Sequence, residues 1–120
     1  MLKIFILEDN DERIKRFKNK ANEFTKTNVE LYIAKDVNAA IKLYEENKPF
    51  NMYFLDHDLG GRVFVDSKEE NTGYTFAKYL AKNNITGKNE QIYSHSLNPV
   101  GRKNIINCFK LAREINIFNF

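Results

Sequence analysis

The stretch from Val29 to Asp56, VELYIAKDVNAAIKLYEENKPFNMYFLD, contains an apolar strand, an amphipathic helix and a second apolar strand in that order. We place the strands at 29–33 and 51–55. Asp36 is expected to cap the helix, and Pro49 ends the connection to the second strand. The inward-facing helix positions are Val37, Ala40, Ile41 and Tyr44. Because two strands joined by a helical crossover lie parallel in one sheet, this stretch predicts a βαβ unit.

The same alternation continues on the amino-terminal side of this unit. The run Leu2 to Leu7 predicts a buried strand, because it is apolar and ends at acidic residues. Either Asn10 or Asp11 can cap the helix that follows. Apolar residues at helical spacing form its inner face, namely Ile14, Phe17, Ala21 and Phe24.

The alternation also continues on the carboxyl-terminal side. A helix capped by Thr72 is expected to run to about Lys82, with Phe76, Ala77 and Leu80 inward, and a strand follows over 90–94. The next helix is capped by Asn98, has Pro99 at its first position and runs to about Arg113, burying Ile105, Cys108 or Phe109, and Ala112. A fifth strand is expected over 115–118. Strand–helix alternation predicts an α/β fold, a doubly wound parallel five-stranded sheet with helices on both faces.

Length and composition limit the class of protein. The chain has 120 residues, which suits one domain over 1–120. Its single cysteine excludes an intrachain disulfide and indicates a reducing compartment. We expect a soluble cytoplasmic protein, because the apolar start meets acids too early for a signal peptide and no apolar run could span a bilayer. The net charge of +3 is spread along the chain and does not favour sequence-specific DNA binding.

Polar residues follow three of the predicted strands. Carboxyl ends of parallel strands form the usual ligand-binding edge of an open α/β sheet. Both histidines of the chain lie at this edge, which indicates a site. The residues concerned are Glu8 and Asp9 after the first strand, Asp56, His57 and Asp58 after the third, and Ser94, His95, Ser96 and Asn98 after the fourth.

Two kinds of ligand fit these residue types. Carboxylates brought together repel each other and favour a cation between them; oxygen ligands alone favour Mg²⁺, and added imidazole favours Mn²⁺, Zn²⁺ or a similar ion. The helix that starts after Asn98 presents free N–H groups to the same edge, and Arg102 and Lys103 in its first turn favour phosphate. The loop from Asp58 to about Asn71 is long enough to be functional.

Structural roles remain open alternatives for several of these residues. Asp9 can serve as a helix cap and Asp58 as a turn residue before Gly60. Serine hydroxyls can satisfy loop backbone groups, and the helix after the fourth strand can be an ordinary capped helix with solvated basic residues. Either histidine can be packed in the core.

The first half of the chain resembles the receiver domain of two-component response regulators. IFILEDNDERI, residues 4–14, is similar to the receiver opening, and the resemblance implies that Glu8 and Asp9 bind Mg²⁺. VELYIAKDVNAAIKLYEENKPFNMYFLD implies that Asp56 is the phosphoacceptor, and Ser94 falls near the receiver serine or threonine. The implied fold is a receiver or flavodoxin-like three-layer sandwich.

Other segments depart from that pattern. The end of the chain, INIFNF, lacks the lysine and proline that follow the fifth receiver strand, and the usual last helix is missing. The combination of LDHDLGG, TGY and HSLNPVGRKNI resembles a divergent group, the cyclic-phosphate-processing receiver domains. That resemblance implies a role on cyclic phosphates of nucleotides or RNA ends.

The first functional hypothesis is therefore a metal-dependent phosphoesterase acting on, or a sensor of, a phosphate-containing small molecule or RNA end. The predicted residues are Asp56, His57 and His95 for catalysis, with His95 as general acid; Ser94, Ser96, Asn98 and Arg102 for phosphate; and Glu8, Asp9, Asp56 and Asp58 for a divalent metal, Mg²⁺ or Mn²⁺. The alternative is a stand-alone receiver module that is phosphorylated on Asp56 and signals through a protein partner. A third hypothesis is a non-catalytic binder at the same site. None involves a membrane.

Overall fold

The computed structural model describes residues 2–23 and 28–117. Strands and helices alternate along the described chain, as the sequence predicts. The elements are β1 (Leu2–Leu7), α1 (Asp11–Glu23), β2 (Val29–Ala34), α2 (Val37–Asn47), β3 (Met52–Leu55), α3 (Gly73–Lys82), β4 (Gln91–Ser94), α4 (Pro99–Ile106) and β5 (Arg113–Glu114).

The five strands form one sheet in the order β2-β1-β3-β4-β5, and all neighbouring pairs are parallel. This confirms the predicted doubly wound α/β fold. The chain moves from β1 to one side to form β2 and then returns to the other side of β1 to form β3. The strand order therefore reverses between β1 and β3, and the carboxyl ends of these two strands are the expected ligand position in such a sheet.

One face of the sheet is covered by α2, α3 and α4. Alternate strand residues point to this face, and aromatic rings fill much of it, since Phe5 stacks on Phe76 at 5.1 Å between ring centroids and lies 5.9 Å from the Tyr53 ring. The buried side chains of this cluster include Leu7, Ala40, Tyr44, Phe50, Leu55, Ala77, Leu80, Ile92 and Ile105.

The opposite face is covered, in the described part of the chain, by α1. Ile4, Ile6, Phe17 and Ile117 are buried together there. An apolar groove of about 380 Å³ remains beside α1, lined by residues of β1 and β3 such as Met52. The last helix of a receiver has no counterpart among the elements of the described residues.

The predicted helix caps are confirmed where helices follow the strands. The side chains of Asp36, Thr72 and Asn98 accept hydrogen bonds from the backbone N–H three residues later, at 2.8, 3.3 and 3.1 Å. For α1 the two candidates are now distinguished, because Asn10 Oδ1 accepts the Arg13 N–H at 3.1 Å. These caps satisfy N–H groups that a helix leaves unpaired.

The end of the chain differs from the prediction. α4 ends at Ile106 rather than near Arg113, and β5 is a two-residue strand at 113–114 rather than 115–118. After Ile106 the backbone tightens, and the Leu111 N–H donates to Thr86 O at 3.0 Å, a bond to another segment that a continued helix would prevent. Buried Ile117 packs on the α1 face instead of extending a strand.

Two other expectations concern the limits of the description. Phe24, predicted on the inner face of α1, and Phe118, predicted in the last strand, lie outside the described residues. Within the described ranges, no helix is both long and apolar enough to cross a lipid bilayer.

The start of α3 is packed against the end of β3 without space for a side chain. The Gly73 N–H donates to His57 O at 2.9 Å, and a Cβ on Gly73 would lie 1.7 Å from the carbonyl oxygen of Asp56. This contact positions the backbone that carries the polar residues after β3.

We predict that Gly73→Ala destabilises the protein by about 3 kcal/mol or more, because the added methyl group must displace backbone at the end of β3. Chemical denaturation followed by circular dichroism measures the effect. Lys82→Ala, an exposed change on the same helix, should shift the free energy of unfolding by less than about 0.5 kcal/mol. An unchanged unfolding midpoint for Gly73→Ala would contradict this packing.

Candidate metal and phosphate site

Three potential metal ligands from different strand ends lie together at the carboxyl edge of the sheet. Glu8, Asp56 and His95 each offer one ligand atom, and these atoms all lie within 4.8 Å of one another. Their residues are 0%, 3% and 1% exposed, so the group is buried. Two carboxylates and an imidazole in this arrangement are a donor set that divalent ions accept.

The parallel ladder brings these three residues together. Each follows the last residue of its strand, and each donates its backbone N–H to the neighbouring strand. Glu8 N bonds Ala34 O at 3.0 Å, Asp56 N bonds Leu7 O at 3.0 Å, and His95 N bonds Leu55 O at 3.3 Å. The side chains therefore emerge at one level, at the point where the strand order reverses.

Glu8 is the most heavily bonded member of the group. Its carboxylate accepts from Arg13 Nε at 2.8 Å and Nη2 at 3.2 Å, from the Asn10 N–H at 3.0 Å, and lies 2.9 Å from His95 Nε2. Burial by itself raises the pKa of Glu8, but the hydrogen bonds from His95 and Arg13 outweigh it and lower the pKa to about 2. Glu8 is therefore ionised at neutral pH.

Asp56 has the opposite electrostatic environment. Its Oδ1 accepts the His57 N–H at 2.9 Å, but its buried Oδ2 has no hydrogen-bond partner among the described residues. Burial and the charge of Glu8 raise the pKa of Asp56 to about 8, although the Arg13 guanidinium, 3.6 Å away, opposes the shift. Without a cation between them, the two carboxylates favour a state with one proton and one charge.

His95 completes the group from β4. Its ring packs edge-on against Phe17 at 5.0 Å between ring centroids, which fixes its plane. Its Nδ1 is buried without a hydrogen-bond partner in the described part of the chain. The unpaired His95 Nδ1 and Asp56 Oδ2, beside an ionised Glu8, are polar atoms whose burial costs free energy unless a ligand satisfies them. The residues present therefore fit a divalent cation.

Arg13 is a residue of the candidate site that the sequence analysis did not single out. It contacts both Glu8 and Asp56, and its side chain is 22% exposed. The signal for it is its position: α1 starts at the carboxyl end of β1, so its first turn faces the same edge. Arg13 therefore places a positive charge beside both carboxylates.

His57 and Asp58 lie in a second, separate cluster. His57 Nδ1 is 2.8 Å from Asp58 Oδ1, and Nε2 is 2.8 Å from Ser67 Oγ, so both ring nitrogens are engaged. A Cβ on Gly101 would lie 2.3 Å from the His57 ring, so α4 packs directly on it. Neither residue belongs to the metal-ligand group found in the described residues. The structure gives His57 the packed position that the sequence analysis kept as an alternative.

The predicted metal ligands Asp58 and Asp9 both bind the loop after β3. Asp58 accepts the Phe64 N–H at 2.6 Å and the Val65 N–H at 3.2 Å. Asp9 Oδ2 accepts the Gly61 N–H at 2.6 Å, while its neighbour Glu8 faces the pocket. These carboxylates therefore shape the rim of the site and lie outside the three-residue group.

The residues predicted to bind phosphate are brought to the same edge, but each has internal partners. Ser94 Oγ donates to Leu55 O at 3.1 Å, and Ser96 Oγ accepts the Asn98 N–H at 3.1 Å. Asn98 caps α4 and also donates to Val65 O at 3.2 Å. Arg102 donates to Ser96 O at 2.8 Å and pairs with Glu114 at 3.1 Å.

Comparison with known proteins identifies the family. A family model described as "Cyclic-phosphate processing Receiver domain" matches residues 4–111. No curated protein matches this sequence.

Several solved structures with the same fold are described as response regulators or chemotaxis proteins. The Mn²⁺-bound form of response regulator Rcp1 is 16% identical in sequence. The match covers 95% of this chain and 80% of the Rcp1 chain, with a TM-score of 0.65. A two-component response regulator from Legionella pneumophila is 15% identical over 96% of this chain and 86% of its own, with a TM-score of 0.66. Chemotaxis protein CheY4 from Vibrio cholerae is 14% identical over 97% and 86%, with a TM-score of 0.62. These likenesses establish a receiver fold.

The raised pKa of Asp56 predicts how stability depends on pH. In metal-free protein the proton on Asp56 favours the folded state, so this contribution is complete below the unfolded pKa near 4 and is lost as pH rises through about 8. Asp56→Asn keeps the shape and removes the titration. In EDTA, the variant should gain stability relative to wild type as pH rises from 5 to 8, by about 3 kcal/mol at pH 8.

Thermal or urea denaturation at several pH values measures this difference. Asp66→Asn, which changes an exposed carboxylate in the loop after β3, should show no such trend. Glu8 does not confuse the result, because its lowered pKa lies below the measured range. A constant difference between Asp56→Asn and wild type over pH 5 to 8 would mean that Asp56 is ionised throughout.

Proposed function

This chain belongs to the family of cyclic-phosphate processing receiver domains, and we propose that it binds a divalent metal at Glu8, Asp56 and His95 and processes a phosphate ester there. The observation that carries the proposal is the buried group itself, with three ligand atoms within 4.8 Å. An ion placed among them would satisfy the unpaired Asp56 Oδ2 and bind one ring nitrogen of His95. It would also offset the charge of Glu8, which together with burial raises the pKa of Asp56.

The donor types favour Mn²⁺ over Mg²⁺ in this proposal. Mg²⁺ prefers oxygen ligands and keeps several waters, whereas imidazole nitrogen suits transition metals. Asp9, adjacent to Glu8, would be an additional ligand once its hydrogen bond from the Gly61 N–H is broken. Among proteins of the same fold, Rcp1 was solved with Mn²⁺ bound.

The substrate class proposed is a cyclic phosphate of a nucleotide or an RNA end. A bound divalent ion supplies Lewis-acid chemistry that polarises a phosphoryl oxygen. Arg13 is the partly exposed member of the site and carries a guanidinium that matches phosphate geometry. Of the four residues predicted to bind phosphate, Arg102 is the one with a positive charge. To bind the substrate, it would give up its ion pair with Glu114.

Ring opening consumes one water molecule. A bond forms between phosphorus and the water oxygen, the phosphorus–oxygen bond of the ring breaks, and the proton that the water loses ends on the released ring oxygen. His95 cannot donate this proton while it binds the ion, so in this proposal it acts as a metal ligand rather than as the general acid that the sequence suggested. Glu8, 2.9 Å from His95 Nε2, orients the ring.

Phosphorylation of Asp56 is the second candidate function, and the unpaired Oδ2 of Asp56 favours it, since a phosphoacceptor needs a free carboxylate oxygen. The cation that pairs with Asp56 in the described residues is Arg13 rather than a lysine. Intact mass after treatment with acetyl phosphate and Mg²⁺ tests this function. A lasting gain of one phosphoryl group, absent in Asp56→Asn, would favour the signalling module over the enzyme.

The position of Arg13 predicts competition with the metal. Its guanidinium bonds Glu8 and lies 3.6 Å from Asp56, so a divalent ion must displace part of this contact. Arg13→Gln should therefore bind Mn²⁺ about tenfold more tightly than wild type, measured by calorimetry or by the electron paramagnetic resonance signal of free Mn²⁺. Lys15→Gln, an exposed change on the same helix, should not alter the affinity. Weaker Mn²⁺ binding by Arg13→Gln would contradict the proposed position of the metal.

Catalysis is tested by turnover. With Mn²⁺ or Mg²⁺, the protein should hydrolyse a 2′,3′- or 3′,5′-cyclic nucleotide, and Asp56→Asn or His95→Gln should reduce the rate at least about a hundredfold, because each removes a metal ligand. Anion-exchange chromatography or ³¹P NMR measures the phosphate monoester that forms.

Asp66→Asn serves as the matched carboxylate control and should retain activity. If the protein binds cyclic nucleotides without hydrolysing them, the proposed role changes from an enzyme to a sensor. Neither binding nor turnover over both nucleotide classes would refute the proposed function.

A further inference from the structure

Phe64 stands exposed on the loop that leaves the buried acidic group. It is 72% exposed, and of the large exposed hydrophobic side chains in the described part of the chain it is the only aromatic one. Phenylalanine is usually buried, and exposure of this ring costs free energy unless a ligand covers it. Val65, the next residue, is 5% exposed, so the loop is anchored directly beside the ring.

The backbone at Phe64 is held in a strained conformation. Its φ is +51°, a left-handed value that residues other than glycine, asparagine and aspartate rarely adopt. Asp58 holds it there, since its carboxylate accepts the Phe64 N–H at 2.6 Å and the Val65 N–H at 3.2 Å. Asn98 donates to Val65 O at 3.2 Å from the other side. Strain maintained by such contacts indicates a functional conformation.

The loop bonds hold the backbone of Phe64 close to the end of β3, which carries Asp56. Asp58 follows Asp56 by two residues, a distance of at most about 7 Å between their Cα atoms. Between Asp58 and Phe64, the loop is tied to the other side of the site by the bond from Gly61 N to Asp9 Oδ2, at 2.6 Å. The loop that carries Phe64 is therefore tied to residues on both sides of the acidic group, to Asp9 next to Glu8 and to Asp58 near Asp56.

We propose that Phe64 is the platform on which the base of the substrate stacks while its phosphate lies at Glu8, Asp56 and His95. This inference rests on the proposed function and specifies its substrate as a nucleobase-bearing phosphate. A rigid aromatic ring loses little conformational entropy when a base covers it. Stacking accepts any base, because every base has a π-face, so Phe64 selects nucleotides over other phosphates without selecting one sequence.

The test compares probes with and without a base on Mn²⁺-loaded protein. Phe64→Ala should weaken binding of adenosine 3′-monophosphate about tenfold and leave ribose 5-phosphate unchanged, measured by calorimetry. A short RNA with a 3′-phosphate serves as a further probe, and comparing its loss with that of the mononucleotide distinguishes an RNA end from a free nucleotide. Phe64→Tyr should retain binding.

A second measurement detects stacking directly. The chain contains no tryptophan, so Phe64→Trp introduces a single tryptophan whose emission can be excited separately from that of the tyrosines. Its emission should be quenched by adenosine 3′-monophosphate but not by ribose 5-phosphate. Leu111→Trp, a change at an exposed apolar position after α4, should show no quenching by either probe.

The outcomes separate this inference from the function on which it rests. If wild type binds both probes and Phe64→Ala weakens neither or weakens both equally, the base platform is wrong and the phosphate site stands. That result would reassign the exposed Val63 and Phe64 to contact with another protein. If wild type binds neither probe, the proposed function and the platform fail together.

Discussion

The burial of two carboxylates side by side is the constraint on which this site depends. Glu8 and Asp56 end adjacent parallel strands, and the ladder holds their backbones at one level. Two ionised acids out of water at this distance repel strongly. Hydrogen bonds from Arg13 and His95 stabilise the charge of Glu8, and the raised pKa of Asp56 favours its protonated form. A cation bound between the two carboxylates would lower this repulsion. The strand geometry that brings the carboxylates together is therefore also what favours the proposed metal binding.

Asp56 and His57 belong to different clusters because neighbouring side chains along an extended backbone point in opposite directions. Asp56 joins the acidic group, whereas His57 turns toward α4 and is held by Asp58 and Ser67. This second cluster organises the loop that carries Phe64. A receiver fold in which the residues after Asp56 build a rigid loop is well arranged to add substrate recognition to the proposed metal pocket, and the two clusters support the two halves of the proposed function.

Much of the architecture was predictable from local patterns. Strand β1, the βαβ unit and the caps at Asp36, Thr72 and Asn98 follow from hydrophobic periodicity and capping chemistry, which act over a few residues. The end of α4 and the position of β5 were predicted wrongly, because the Leu111 N–H bonds Thr86, far away in the sequence. Periodicity continues the helix past Ile106, whereas in the structure the backbone tightens there and then bonds another segment.

For the site, the sequence by itself determined that acidic residues and both histidines would meet at the carboxyl edge of a parallel sheet, because strand order and direction follow from the alternation of elements. Only the tertiary structure decided which of them face each other. It joined His95 to Glu8 and brought Arg13 into the pocket, and it assigned His57, Asp58 and Asp9 to the loop. Side-chain direction at the end of a strand depends on what packs against it, and for His57 that is the bare backbone of Gly101 on a helix far along the chain.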